Sequence, residues 1–100
     1  MNKPQASPPK HHVILYTRPG CHLCGEAKQA MRSANCANEY TLEEINIESD
    51  SQLLHQYGYD VPVIKIDGRE VFRHRLSPEN FKAALQDARQ MLASRHSVRE

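Results

Sequence analysis

The run Val13-Ile14-Leu15-Tyr16 is stopped by Arg18-Pro19-Gly20 and followed at once by residues of helical period. Four consecutive apolar residues of strand-forming type, bounded by a turn signal, suit a strand buried on both faces. From Leu23 onward, Leu23, Ala27, Ala30, Met31 and Ala34 share one side of a helix, while Glu26, Lys28, Gln29 and Arg32 take the other. The spacing predicts a helix over 21–34. A buried strand passing straight into an amphipathic helix is the first half of a crossover unit, which returns to a parallel strand with a right-handed connection.

The return strand is expected within Tyr40–Ile47. Its apolar parity switches midway, Tyr40 and Leu42 against Ile45 and Ile47, so a bulge or a late strand start is expected. Ser49-Asp50-Ser51 supplies N-cap side chains for a short helix carrying Leu53, Leu54 and Tyr57, and Gly58 ends it. Val61–Ile66, then Asp67-Gly68, then Glu70–His74 reads as a hairpin, because Asp-Gly accepts the positive φ angles of a two-residue turn. Ser77-Pro78 places a capping hydroxyl before a first-turn proline, and Phe81, Ala84, Leu85, Ala88 and Leu92 form the stripe of a final helix. The order βαβαββα predicts an α/β fold with a mixed four-stranded sheet flanked by helices. The predicted domain spans 13–93. Residues 1–12, with three prolines and no acid, are expected to form a disordered tail, with His11 and His12 as solvated side chains, and 94–100 to fray.

A chain of 100 residues with 39% hydrophobic and 25% charged residues builds one soluble domain without disulfide staples. The formal net charge of +1 gives no basic field of the kind that neutralises phosphates, which argues against nucleic acid. No apolar run is long enough for a membrane span or a secretory signal, so the cytosol is the expected compartment. Thiols there stay reduced, which directs Cys21, Cys24 and Cys36 to catalysis or metal binding before a structural bridge.

Cys21 and Cys24 fall where the strand hands over to the helix. A cysteine at a helix start meets unpaired N–H groups and the positive end of the helix dipole, both of which favour thiolate. Cys21 is therefore the nucleophile, and Cys24, one turn further in, is the resolving thiol. His22, beside the nucleophile, is a thiolate-tuning residue or a plain exposed side chain. A zinc site completed by Cys36 lacks a second ligand pair of tight spacing, so no metal is assigned and Cys36 is read as a bystander. His55, His74, Arg73 and Arg75 are read as surface residues, the arginines being also able to attract an acidic partner. Pro62 cannot donate to a sheet ladder, which confines it to a strand beginning, an edge or a cis bond.

Arg18-Pro19-Gly20-Cys21-His22-Leu23-Cys24 together with Tyr57-Gly58-Tyr59-Asp60-Val61-Pro62-Val63 resembles the small glutaredoxin-like proteins of the thioredoxin superfamily, over roughly Val13 to Leu92. The resemblance implies a thioredoxin-like fold and a cis Val61–Pro62 bond facing the sulfurs. In that arrangement Val61 offers backbone groups to a peptide or glutathione chain. Arg18 is expected to take the electrostatic role of a lysine that many glutaredoxins place before the motif. Typical glutaredoxins carry Cys-Pro-Tyr-Cys, and after the hairpin a Gly-Gly turn and an aspartate that holds the amino end of glutathione. This chain has Cys-His-Leu-Cys, and Arg73-His74-Arg75-Leu76-Ser77.

The implied activity is thiol–disulfide exchange on a disulfide-containing protein or a small disulfide, by a monomer with no tightly bound cofactor. Glutathione stands as a disfavoured reductant beside a protein reductase. A binding or redox-sensing module without turnover, and metal or iron–sulfur binding through Cys21, are the alternatives.

Overall fold

The computed structural model describes residues 10–98, with side chains through Met91. In chain order the elements are β1 (His11–Thr17), α1 (His22–Ser33), β2 (Tyr40–Asn46), α2 (Ser51–Tyr57), β3 (Val63–Ile66), β4 (Arg69–Arg73) and α3 (Pro78–Val98), with single 3-10 turns at Ala37–Glu39 and Ile47–Ser49. The four strands lie in the order β2-β1-β3-β4. β1 runs parallel to β2 and antiparallel to β3, and β3 is antiparallel to β4. The expected order βαβαββα and the mixed sheet are both present.

The sheet separates two apolar layers, and strand alternation assigns residues to them. Val13, Leu15, Ile64 and Ile66 point to the face covered by α1 and α3, where they meet Ala27, Met31, Phe81 and Leu85. Tyr16 and Val63 point the other way, where they pack with Tyr57 of α2 and with Ile47. Phe81 and Leu85 are essentially inaccessible to solvent. At about 1.5–3 kcal/mol for each fully buried large side chain, these two anchor α3 more firmly than its polar remainder could.

Three details differ from the sequence expectations. β2 needs no bulge: it pairs residue for residue with β1 from His11↔Tyr40 to Thr17↔Asn46. Its parity switch arises because it is an edge strand that feeds each layer from one end, Tyr40 packing into the α1/α3 layer and Ile45 into the α2 layer. The irregularity lies in the hairpin, where Ile64 pairs with Phe72 and Lys65 with Glu70, leaving Val71 over.

The second difference is at the start of β1, which begins at His11 rather than Val13. The Nδ1 of His11, a buried residue, lies 2.7 Å from Asp67 Oδ2, and the amide of His12 donates to Asp67 Oδ1 at 2.9 Å. The Asp67 amide returns a bond to the His12 carbonyl at 2.8 Å. The two histidines thus belong to the sheet, because the hairpin tip supplies a carboxylate that no local pattern around His11 reveals. Third, α3 continues to Val98, past the boundary expected at residue 94. Residues 1–9 of the expected tail, residues 99–100 and the Leu92 side chain lie outside what is described.

Candidate functional site

The site grows from one turn. Arg18-Pro19-Gly20-Cys21 closes with the Cys21 amide donating to the Arg18 carbonyl at 3.2 Å. Gly20 has φ +78°, with open space where a Cβ would stand, so glycine is required there by the backbone angle of a Pro-Gly turn and not by crowding. The turn delivers Cys21 to the N-cap of α1 in extended conformation, φ −80° and ψ 108°.

At that position Cys21 Sγ does what a serine or aspartate does in other N-caps: it accepts the backbone N–H of Cys24 at 3.1 Å. No acidic residue lies in the first turn to oppose a negative sulfur. Cys21 is half-buried, whereas Cys24 is 3% exposed and takes the core-facing position on α1. The two sulfurs lie at disulfide distance, with Cα atoms 5.3 Å apart. One sulfur therefore lies half-exposed at a helix terminus and the other is buried beneath it.

The Val61–Pro62 bond is cis, as the resemblance implies. Tyr16 pairs with Val63, so the end of β1 that leads to Cys21 and the start of β3 that follows Pro62 lie side by side at one end of the sheet, on its two central strands. The end of β4 joins them there, since Arg73 pairs with Val63. Cys21, Cys24, Val61 and Pro62 thus share one end of the molecule, and Pro62 is fully buried.

Arg18 is engaged within the protein, and His22 takes the plain exposed position that is one of its two expected readings. Arg18 donates through Nη1 to the Gly58 carbonyl at 2.9 Å and through Nη2 to Glu48 at 3.1 Å, so its charge is matched internally and its fork ties the Cys21 turn to the end of α2. His22 is 88% exposed, and its Nε2 lies 3.0 Å from Glu26 one turn along α1. Glu26 also faces Arg75, at 3.8 Å, across a groove of about 360 Å³ that runs between α1 and the β4–α3 turn. Cys36 is buried, and its Sγ donates to the Ala34 carbonyl at 3.3 Å. Burial first, and then the charge of Glu39, push this thiol up from its ordinary range, with Lys82 opposing weakly. Among the described residues no three His, Cys, Asp or Glu side chains come together as a metal-ligand set, and no helix is long and apolar enough to cross a membrane.

Sequence reasoning missed a charged cluster beside Pro62. Asp60 accepts from Arg73 Nη1 at 2.6 Å and lies 3.3 Å from His74 Nε2, while Arg73 also grips Glu70. The Glu70 carboxyl is held below its usual range chiefly by its hydrogen bond with Arg73, which in turn holds the guanidinium above its own. His74 has φ +70°, and its amide donates to the Pro62 carbonyl at 2.8 Å. The only sequence signal was the crowding of opposite charges in Glu70–Arg75 with Asp60 close before Pro62.

This sheet order, with a Cys-x-x-Cys pair at the first helix and a cis-proline before the third strand, defines a thioredoxin-like fold. The chain is similar to the X-ray structure of protein XcR50 from X. campestris, with TM-score 0.66 and 30% identity, covering 75% of this chain and 96% of that one. It shares the fold with a Malassezia sympodialis thioredoxin, at TM-score 0.53 and 15% identity, over 78% of this chain and 74% of the other. The family model described as Glutaredoxin-like domain (DUF836) matches residues 12–86, so the chain belongs to that glutaredoxin-like family. A Dictyostelium discoideum relative, "Glutaredoxin-like protein YDR286C homolog", is 36% identical over 74 residues, which is 68% of each chain.

Proposed function

We propose that this chain is a thiol–disulfide oxidoreductase in which Cys21 is the nucleophile and Cys24 the resolving thiol. The observation that carries this reading is the asymmetry of the pair: Cys21 Sγ caps α1 half-exposed and accepts the Cys24 amide, with Cys24 buried behind it. A helix-terminal cap of this kind stabilises a thiolate more than a thiol, which raises the reactive fraction at neutral pH.

The Cys21 thiolate attacks one sulfur of a substrate disulfide, the S–S bond breaks, and the leaving thiolate takes a proton from solvent. Cys24 then loses its proton and attacks Cys21 Sγ, releasing the second substrate thiol and closing the Cys21–Cys24 disulfide. The substrate has gained two electrons and the protein has lost them. An external dithiol protein or two small thiols return them. The protein needs no tightly bound cofactor for these steps.

Val61 presents its backbone to the chain that carries the substrate sulfur, a mode of recognition that tolerates varied side chains. Arg18 supports this through its bond to Gly58, which fixes the near end of the loop. His22, paired with Glu26 in solvent, tunes the thiolate only weakly.

Turnover of a low-molecular-weight disulfide under an external reductant, with Cys21→Ser and Cys24→Ser variants, tests the reading. Cys21→Ser should abolish exchange, and Cys24→Ser should accumulate a mixed disulfide at Cys21. Thiols that stay inert toward disulfides, with a folded protein, would favour a binding module of the same fold.

A further inference from the structure

Among the described residues Tyr59 is 99% exposed, whereas the other large exposed apolar residues, Leu42, Leu54, Val71 and Met91, keep more than half of their surface covered. Scattered exposed apolar residues are ordinary. Tyr59 differs in the rigidity of its support. On one side Gly58 accepts the Arg18 guanidinium at 2.9 Å, and Tyr57 is buried against Tyr16 with ring centroids 4.8 Å apart. On the other, the Asp60 amide donates to the Tyr57 carbonyl at 2.8 Å and the Asp60 carboxylate is held by Arg73 and His74. The ring is thus carried on a turn fixed at both ends, while making no use of its own surface.

Its position matters as much. Tyr59 stands two residues before Val61, within about 7 Å along the chain. A substrate polypeptide pairing in extended form with the Val61 backbone would therefore pass the ring within about two residues of its cysteine. A small disulfide carries no such flanking chain. The charges around the turn are matched within the protein, Arg18 by Glu48 and Arg73 by Asp60, so the feature left for a partner is the ring itself.

On the strength of the proposed exchange reaction, we infer that Tyr59 is a specificity-determining contact for polypeptide disulfides, receiving an apolar segment that flanks the substrate cysteine. A rigidly presented tyrosine offers a large contact area at low conformational cost, which is why such residues dominate many binding surfaces.

The test compares Tyr59→Ser and Tyr59→Phe with the unaltered protein on two substrates: the interchain disulfides of insulin and bis(2-hydroxyethyl) disulfide. On insulin, Tyr59→Ser should lower kcat/KM by roughly fivefold to tenfold, mostly through KM, and Tyr59→Phe should restore most of it. On the small disulfide both variants should match the unaltered protein. An equal loss on both substrates, or none on insulin, would overturn the assignment of Tyr59 while leaving the exchange reaction standing. An unaltered protein inactive on both would overturn the exchange reading and this inference with it.

Discussion

The amide of His74 donates to the carbonyl of Pro62 at 2.8 Å, and the His74 ring reaches Asp60 at 3.3 Å, so one residue at the end of β4 grips the chain on both sides of Val61. Pro62 has no N–H to offer a neighbouring strand, but its carbonyl extends the β3–β4 pairing by one step beyond Val63↔Arg73. The backbone that makes this bond is left-handed, with φ +70° at His74.

That angle predicts a particular substitution pattern. Histidine tolerates the left-handed region better than most side chains, glycine adopts it freely, and a β-branched residue resists it. His74→Gly should leave stability within about 0.5 kcal/mol of the original, since the lost Asp60 contact is exposed and weak. His74→Val should cost about 1–2 kcal/mol. Urea denaturation of both variants checks this, and equal stability of the two would remove the argument.

The His11–Asp67 pair predicts acid sensitivity. Burial on its own would raise the Asp67 carboxyl, but hydrogen bonds from the His12 amide and the His11 ring, with the charges of both histidines, outweigh it and hold the group below its ordinary range. A carboxyl depressed in the folded state adds stability above its unfolded pKa of about 3.9, and that stability disappears as pH falls through the folded value. Asp67→Asn keeps a residue suited to the φ of +52° at this turn while deleting the charge. The variant should be less stable by about 1–2 kcal/mol near neutral pH, with the difference shrinking below pH ~4 as the original protein takes up its proton. Parallel urea titrations at several pH values measure it, and a gap that stays constant into acid would contradict the assignment.

The three cysteines should separate by reactivity. In reduced protein at neutral pH, Cys21 should be alkylated at least ~10-fold faster than Cys36, because thiolate fraction and access both favour it. Cys36 is buried, donates to Ala34 and has a raised pKa. Cys24, at 3% exposure, should also lag behind Cys21. Peptide mapping after brief alkylation reads the order directly, and preferential labelling of Cys36 would refute it.

Much of the scaffold was legible because its signals are local. The apolar run in β1, the Asp67-Gly68 turn with positive φ at both residues, and the Ser77 hydroxyl that accepts the Asn80 amide at 3.0 Å each follow from a few neighbouring residues. Cys21 and Cys24 were legible for the same reason, since the strand, turn and helix that place them are contiguous. The pairings that eluded the sequence join distant segments: His11 with Asp67, Arg18 with Gly58, and Asp60 with Arg73 and His74. Arg18 shows the consequence. Local sequence reads it as a free cation beside Cys21, and only the approach of α2 reveals that its fork is occupied.

The β4–α3 turn bears on the electron donor. Typical glutaredoxins place a glycine pair and a helix-capping aspartate where this chain has Arg73-His74-Arg75-Leu76-Ser77. Here His74 adopts the positive φ without glycine, and the cap of α3 is a neutral hydroxyl. The carboxylate in the adjoining groove is Glu26, which engages Arg75 at 3.8 Å and His22 at 3.0 Å and so competes with an incoming anion for both basic side chains. Glutathione is anionic overall, and screened surface cations bind it weakly without backbone bonds to fix the tripeptide. Turnover driven by glutathione and its reductase should therefore be slow, and slower than turnover driven by a thioredoxin-type protein reductase. Glu26→Gln should raise the glutathione-driven rate, by no more than about fivefold because the groups are exposed. A coupled assay with each reductant gives the comparison: glutathione-driven turnover that matches or exceeds the protein-driven rate would show that Val61 and the neighbouring basic residues suffice as a glutathione site.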